Sequence, residues 1–273
     1  MKIGAIFPTT EIGSDPAAVR DWAQAAEGLG FSHMIAYDHV LGVEHANRDP
    51  KLMGPYTEDH PFHEPFVLFG YLAGLTTRIE MCTGVLILPQ RQTALVAKQA
   101  ADVDVLSGGR LRLGVGTGWN WVEYDSLDVP YKQRGKRMDE QVELLRELWK
   151  AKTIDFSGDY HRIERACILP SPTRSIPIWF GGFADIAFQR AARIGDGFQF
   201  GAAGPFFRAQ WEQVKEGLEK WRTEFEAWQE AGGTHFSLRA MDTAAELVGA
   251  KHVGYKGPRD YIDALEQFAK VVL

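Results

Sequence analysis

An aspartate and a histidine stand side by side at Asp38–His39, directly after the short apolar run from His33 to Tyr37. A histidine can take up or release a proton near neutral pH, and a neighbouring carboxylate can hold its ring or bind the polar edge of a ligand. Without chemistry, the same histidine is a loop residue bonded to backbone. A second candidate is the stretch from Gly109 to Trp119, Gly-Arg-Leu-Arg-Leu-Gly-Val-Gly-Thr-Gly-Trp, where Gly114, Gly116 and Gly118 fall at every second position. That pattern describes a strand ending in a rim poor in side chains, where a flat ligand could lie or another backbone could pack closely. It is neither a dinucleotide fingerprint nor a phosphate loop: Trp119 or Trp121 holds the place of the last glycine, and no Lys-Ser/Thr pair follows. The third candidate is Gly181–Gly182, between the run from Ile176 to Phe180 and a helical pattern that opens at Ala184. A strand, a glycine pair and a helix N-terminus in succession offer free N–H groups and a positive dipole end to a phosphate, unless the pair is only a tight turn.

A different grouping of the same region would make a metal site. His39, His45, His60 and His63 alternate with Asp38, Asp49, Glu58, Asp59 and Glu64. Metal barrels draw their ligands from several strand ends, whereas these lie mostly in one loop and form no paired histidines at helical spacing. No metal is therefore assigned. A non-catalytic binding protein on the same scaffold is a further reading, since a fold alone does not guarantee chemistry.

The elements that must position these residues alternate regularly. Ile3 to Phe7 reads as a buried strand, and Asp15-Pro16 caps and opens a helix whose inward face is Val19, Trp22, Ala23 and Ala26, with an exit at Gly28 and Gly30. After Asp38–His39 the chain wanders from Val40 to Phe62, far longer than the usual connection, which marks a lid or pocket wall. A helix from about Pro65 to Leu75 leads to the apolar run Ile79 to Leu88, in which Gly84 signals a bulge or a close approach to the backbone. Thr93 to Ser107 is the next helix, with Val96, Ala100, Val103 and Leu106 inward, and Met138, Val142, Leu145 and Trp149 mark another. Short pieces at Ile154 to Phe156 and Ala166 to Leu169 read as an excursion from the rim. Ile176 to Phe180, Gly197 to Phe200 and His235 to Leu238 complete the strands, and Arg259 to Leu273 forms a last amphipathic helix. About eight strand-helix alternations predict one (β/α)8 TIM barrel with rim insertions, a single domain over residues 1–273. In such a barrel the candidates all fall at strand C-terminal ends and converge. The seam Phe207, Trp211, Val214, Leu218, Trp221, Phe225 and Trp228, spaced by four and three, predicts helix packing and a homodimer interface.

Composition narrows the partners. A formal charge of −6 and a pI near 5.8, with no lysine/arginine block, argue against nucleic acid and for a small-molecule substrate. Two cysteines, Cys82 and Cys167, suit a reducing compartment. Met1 to Thr10 lacks the build of a signal peptide and no run is long enough to span a membrane, so the expected location is cytoplasmic.

In this order the motifs resemble the bacterial luciferase-like family of flavin and deazaflavin oxidoreductases. The residues that carry the likeness are Asp38–His39, Thr83-Gly84-Val85, Gly109-Arg110, Val115-Gly116-Thr117-Gly118-Trp119-Asn120 and Gly181–Gly182. The resemblance implies a barrel that binds coenzyme F420 or FMN without covalent attachment. It implies a non-proline cis peptide at Gly84–Val85 against the back of the ring, Asp38 and His39 at the face where substrate enters, rim contacts from Thr117, Gly118 and Asn120, and a phosphate turn at Gly181 and Gly182. The short chain, the Gly84–Val85 match and the Gly-Trp-Asn rim are more similar to the F420 branch; the alternative is an FMN-dependent two-component monooxygenase with a partner flavin reductase. Where the sugar-phosphate dehydrogenase branch carries an acidic residue after its rim glycine, this chain has Trp119, an aromatic wall that points to an apolar or ring-shaped substrate.

Overall fold

Strands with apolar side chains on one face and small or polar ones on the other organise the molecule. The computed structural model describes residues 2–150, 152–199, 229–230, 232–238 and 254–273. β1 (Lys2–Ile6), β2 (His33–Ala36), β3 (Glu80–Thr83), β4 (Leu86–Ile87), β5 (Leu111–Gly116), β8 (Ile178–Gly181), β9 (Gly197–Gln199) and β10 (His235–Leu238) form one sheet. All its pairings are parallel, in the order β10-β1-β2-β3-β5-β8-β9, with β4 also on β5. The sheet curls. Trp179 of β8 and His235 of β10 stand five places apart in that order, yet their rings lie 4.8 Å apart in an edge-to-face contact. The result is an α/β fold with a parallel half-barrel.

The helices cover the outer face. These are α1 (Pro16–Gly28), α2 (Pro65–Ala73), α3 (Thr93–Ser107), α4 (Trp121–Ser126), α5 (Arg134–Lys150), α6 (Asp185–Ile194) and α7 (Pro258–Val272). The core lies between sheet and helices: Ile3, Ala5 and Phe7 meet Val19, Trp22 and Ala23, while Leu111, Leu113 and Val115 meet the buried stripe of α3. Asp15 caps α1 as its sequence indicates, its carboxylate accepting from the Ala17 N–H at 2.9 Å. Leu106 departs from expectation, being 74% exposed. The inward stripe of α3 instead runs Val96, Ala97, Ala100, Ala101, Val103, Asp104 and Ser107, and Leu106 falls a helical step outside it.

Two loops are fixed by buried charge. Arg110 reaches from the foot of β5 to the carbonyls of Ala73, Thr76, Ile79 and Ser107, tying the end of α2 to that of α3. Asp104 accepts from Arg174 at 2.7 Å. The rim excursion is an antiparallel hairpin of β6 (Ile154–Ser157) and β7 (Arg162–Ala166). The Phe207 to Trp228 seam lies outside the described residues. Among the described residues, no helix is long and apolar enough to cross a membrane.

Candidate active site

Glycine at every second position empties the inner face of the half-barrel, and other groups move in. A Cβ on Gly4 would sit 2.3 Å from the His33 ring, and one on Gly197 would sit 2.6 Å from Trp179. These rings belong to a polar floor. Arg112 lies 4.4 Å from the Trp179 ring, pairs with Glu80 and meets His235 Nε2 at 3.1 Å. His33 is bonded at both nitrogens, to Ser32 Oγ at 2.9 Å and Ser237 Oγ at 2.8 Å. Burial, aided by the charge of Arg112, pushes His33 down to about 3 and His235 down to about 4.

Above the floor the same alternation shapes the mouth. A Cβ on Gly114 would collide with the Thr83 carbonyl at 2.0 Å and the Gln199 amide at 2.4 Å, so this glycine serves close packing between strands. Gly116 and Gly181 instead make room for one side chain: their Cβ atoms would lie 2.4 and 2.7 Å from the two methyl groups of Val85. The Gly84–Val85 peptide is cis, and Val85 stands on this pair of glycines as a raised platform. Gly118, at a φ of 63°, turns the rim under Ile87.

Asp38 and His39 part company at the next step. The Asp38 carboxylate is fully buried, accepting from Arg91 Nη2 at 2.7 Å and from the Ile87 N–H at 2.8 Å. Burial pushes its pKa up from the usual carboxylate range, while Arg91 and the Ile87 N–H pull against that. It makes no bond to His39. The partner of His39 is Glu123 on α4, whose Oε2 accepts from Nδ1 at 3.0 Å and whose Oε1 accepts from the N–H groups of Val40 at 2.5 Å and Leu41 at 3.0 Å. The idea that Asp38 holds the ring is therefore corrected: the ring turns toward Glu123, and Asp38 anchors β4, which follows directly on Val85.

Aromatic rings enclose what remains of His39. Phe62, Trp119 and Tyr56 lie 4.9, 5.3 and 5.4 Å from the imidazole, centroid to centroid. Phe62 and Tyr56 come from the long loop, which folds back over the mouth with Val43 and Leu52 buried. Gly54 is pressed on Trp119; a Cβ there would fall 2.2 Å from the indole.

The remaining candidates divide. Asn120 is buried and caps α4, its Oδ1 accepting from the Val122 N–H at 3.2 Å. The Thr117 carbonyl accepts from Tyr124 at 2.7 Å. Gly182, at a φ of 153°, precedes α6, whose N-cap Ala184 supplies no side-chain bond, although the Ala187 N–H is taken by the Ala184 carbonyl at 2.8 Å; Asp185 in the first turn works against an anion there. The histidine-rich loop does not gather into a ligand set. His60 Nδ1 takes the Thr57 N–H at 2.9 Å, His63 turns to the Gly13 carbonyl at 3.3 Å and Glu64 pairs with Arg91 at 2.8 Å. Among the described residues no three of His, Cys, Asp and Glu converge as a metal site would require.

Sequence reading missed Glu123, Arg91, Tyr56 and Phe62. Glu123 had a signal, but a misleading one: Asn120 followed three residues later by glutamate is a capping box, in which that glutamate would bond its own helix. Here it reaches back more than eighty residues instead.

The profile of the luciferase-like monooxygenase family matches residues 1–264, and the chain belongs to that family. An uncharacterised protein of Mycobacterium tuberculosis (strain ATCC 25618 / H37Rv) is 42% identical over 192 residues, covering 67% of this chain and 65% of that protein. An F420-dependent glucose-6-phosphate dehydrogenase of Gordonia bronchialis is 30% identical over 238 residues, covering 83% of this chain and 65% of that enzyme. The matched chain thus spans a little under two thirds of these relatives. Among solved structures, an F420-dependent secondary alcohol dehydrogenase in complex with an F420-acetone adduct superposes with a TM-score of 0.63 at 20% identity, covering all of this chain and 82% of that one. That likeness is one of fold.

Proposed function

We propose that this chain is an oxidoreductase that uses coenzyme F420 to move a hydride to or from a small organic substrate, on a barrel closed to eight strands. The observation that carries the reading is the joining of the Val85 platform to the His39 ring. Asp38 fixes Ile87, two residues beyond Val85, while the adjacent His39 faces an aromatic enclosure over the same mouth. The names of the dehydrogenase relative and of the superposed alcohol dehydrogenase support the choice of coenzyme. The family's description as monooxygenases supports the alternative, FMN with a separate flavin reductase.

The residues present fit such a group. Gly116 and Gly181 admit Val85 where any Cβ would block it, so the platform can back a flat ring, and the start of α6, reached through Gly181–Gly182 and left without a side-chain cap, can take a phosphate tail against the opposing charge of Asp185. When bound, the coenzyme supplies the hydride-carrying ring. His39 exchanges the accompanying proton at Nε2, since Nδ1 is committed to Glu123. Phe62, Tyr56 and Trp119 exclude water and hold an apolar or ring-shaped substrate against the imidazole. The homodimer remains part of the proposal, and a single species of monomer mass at all concentrations in sedimentation would remove it.

Titration with F420 and with FMN, followed by tryptophan fluorescence, tests the reading. Binding of F420 at least ten-fold tighter than FMN is expected. The reverse order would make the chain an FMN enzyme, and binding of neither would overturn the proposal.

A further inference from the structure

Three hydrogen-bond donors from the mouth of the barrel converge on one carboxylate. Glu123 has a side chain only 1% exposed, on the first turn of α4, and accepts from the Val40 and Leu41 N–H groups at Oε1 and from His39 Nδ1 at Oε2. A carboxylate is an acceptor only, so the ring nitrogen facing it must carry the hydrogen. The other nitrogen, Nε2, then keeps its lone pair, and it makes no hydrogen bond among the described residues. We propose that Glu123 is the positioning residue of the site: it fixes His39 in the Nδ1–H form, with Nε2 presented to the substrate, and clamps the start of the 37–64 loop in the same act.

This rests on His39 being the proton-exchanging group of the function proposed above, and it goes further in saying why one ring nitrogen acts. Free imidazole takes both neutral forms readily, so an unassisted His39 would divide between them and lose part of its working population. A buried carboxylate removes that choice and faces the imidazolium when Nε2 gains a proton. Because the same oxygens hold Val40 and Leu41, the loop bearing Tyr56 and Phe62 cannot swing away from α4 without releasing the ring.

Glu123→Gln separates this role from simple packing. A carboxamide has the same shape but offers one acceptor and one donor to three donors. With its oxygen kept on the two backbone N–H groups, its NH2 meets His39 Nδ1, and the ring must move its hydrogen to Nε2. The opposite orientation would press an NH2 against two N–H groups and leave all of them unsatisfied. The experiment is nitrogen-15 NMR of the histidine rings in the full chain without cofactor, with the His39 signals assigned by their loss in His39→Gln. Expected are the Nδ1–H form in the wild type and the Nε2–H form in Glu123→Gln, together with a 10²- to 10⁴-fold fall in kcat and KM changed less than about three-fold. An Nε2–H form in the wild type overturns the proposal whether or not the variant folds, and so does an unchanged Nδ1–H form in the variant. A wild type that shows Nδ1–H but binds neither F420 nor FMN would sink the proposed function while leaving Glu123 as the group that sets the ring.

Discussion

The molecule builds one device twice and finishes it differently. At the mouth, Glu123 collects two backbone N–H groups and His39 Nδ1. At the turn of the rim hairpin, Glu140 of α5 collects the N–H groups of Asp159 at 2.7 Å and Tyr160 at 2.9 Å, and His161 Nδ1 at 2.7 Å. The difference is the far nitrogen. His161 Nε2 is met by the Thr93 hydroxyl at 2.6 Å, and the Gln141 amide completes that hydroxyl at 2.9 Å. His39 Nε2 faces aromatic rings instead and makes no hydrogen bond among the described residues. A saturated histidine is a latch, holding the hairpin to α3 and α5. One with a single nitrogen left over has the capacity for chemistry, because a ligand can supply the group that would satisfy it.

The strongest way to break this comparison is to remove each ring in turn. His39→Gln is expected to lower turnover by 10²- to 10⁴-fold with little change in denaturation midpoint, the loss of an acid-base group. His161→Gln should do the reverse, costing about 1–3 kcal/mol in chemical denaturation through the unmet Thr93 and Glu140 partners while leaving kcat within two-fold. If His161→Gln cost as much turnover as His39→Gln, the distinction between latch and reactive ring would not hold.

Acid sharpens the comparison from the side of stability. His33 is saturated as well, by Ser32 and Ser237, and lies near about 3 in the fold against 6.5 in an ordinary histidine. Between those values the unfolded chain binds a proton that the folded chain refuses. The contribution of His33 is therefore complete above about 6.5 and drains away as pH falls toward about 3. His161 is lowered too, by burial against the opposing pull of Glu140, and acts in the same direction. Denaturation at pH 7 and pH 5 should differ by about 2 kcal/mol from His33 alone. His33→Gln, retaining hydrogen bonds without a titrating ring, should flatten that dependence; an unchanged slope would move the acid sensitivity elsewhere.

How much of this was legible beforehand follows from where each signal resides. The strand-helix order, the Asp15 cap and the Gly84–Val85 step are local patterns, and local patterns survive in a sequence. The glycine alternation was also visible, but its meaning was divided: Gly114 serves close packing with Thr83 and Gln199, whereas Gly116 and Gly181 serve Val85. The partners of the two acidic residues were not legible. Asp38 finds Arg91 and His39 finds Glu123 only because the sheet sets β2, β3 and β5 in succession with β4 on β5, and no spacing rule reaches across fifty or eighty residues. The loop from Val40 to Phe62 announced itself by length, yet not that its aromatic residues would face inward.

The smallest expected effect tests the aromatic wall beside His39. Trp119→Ala removes the indole 5.3 Å from His39 and should raise KM for an apolar substrate about ten-fold, close to 1.4 kcal/mol, while the His39 ring keeps its tautomer. Gly54→Ala reaches the same ring from behind. Its new methyl would fall 2.2 Å from the indole edge, so the ring must shift, although it is a side chain and can do so cheaply. A few-fold rise in KM with kcat unchanged is expected. Both substitutions act only if Trp119 touches substrate; steady-state kinetics identical to wild type in both would leave the enclosure as packing and return the choice of substrate to the loop.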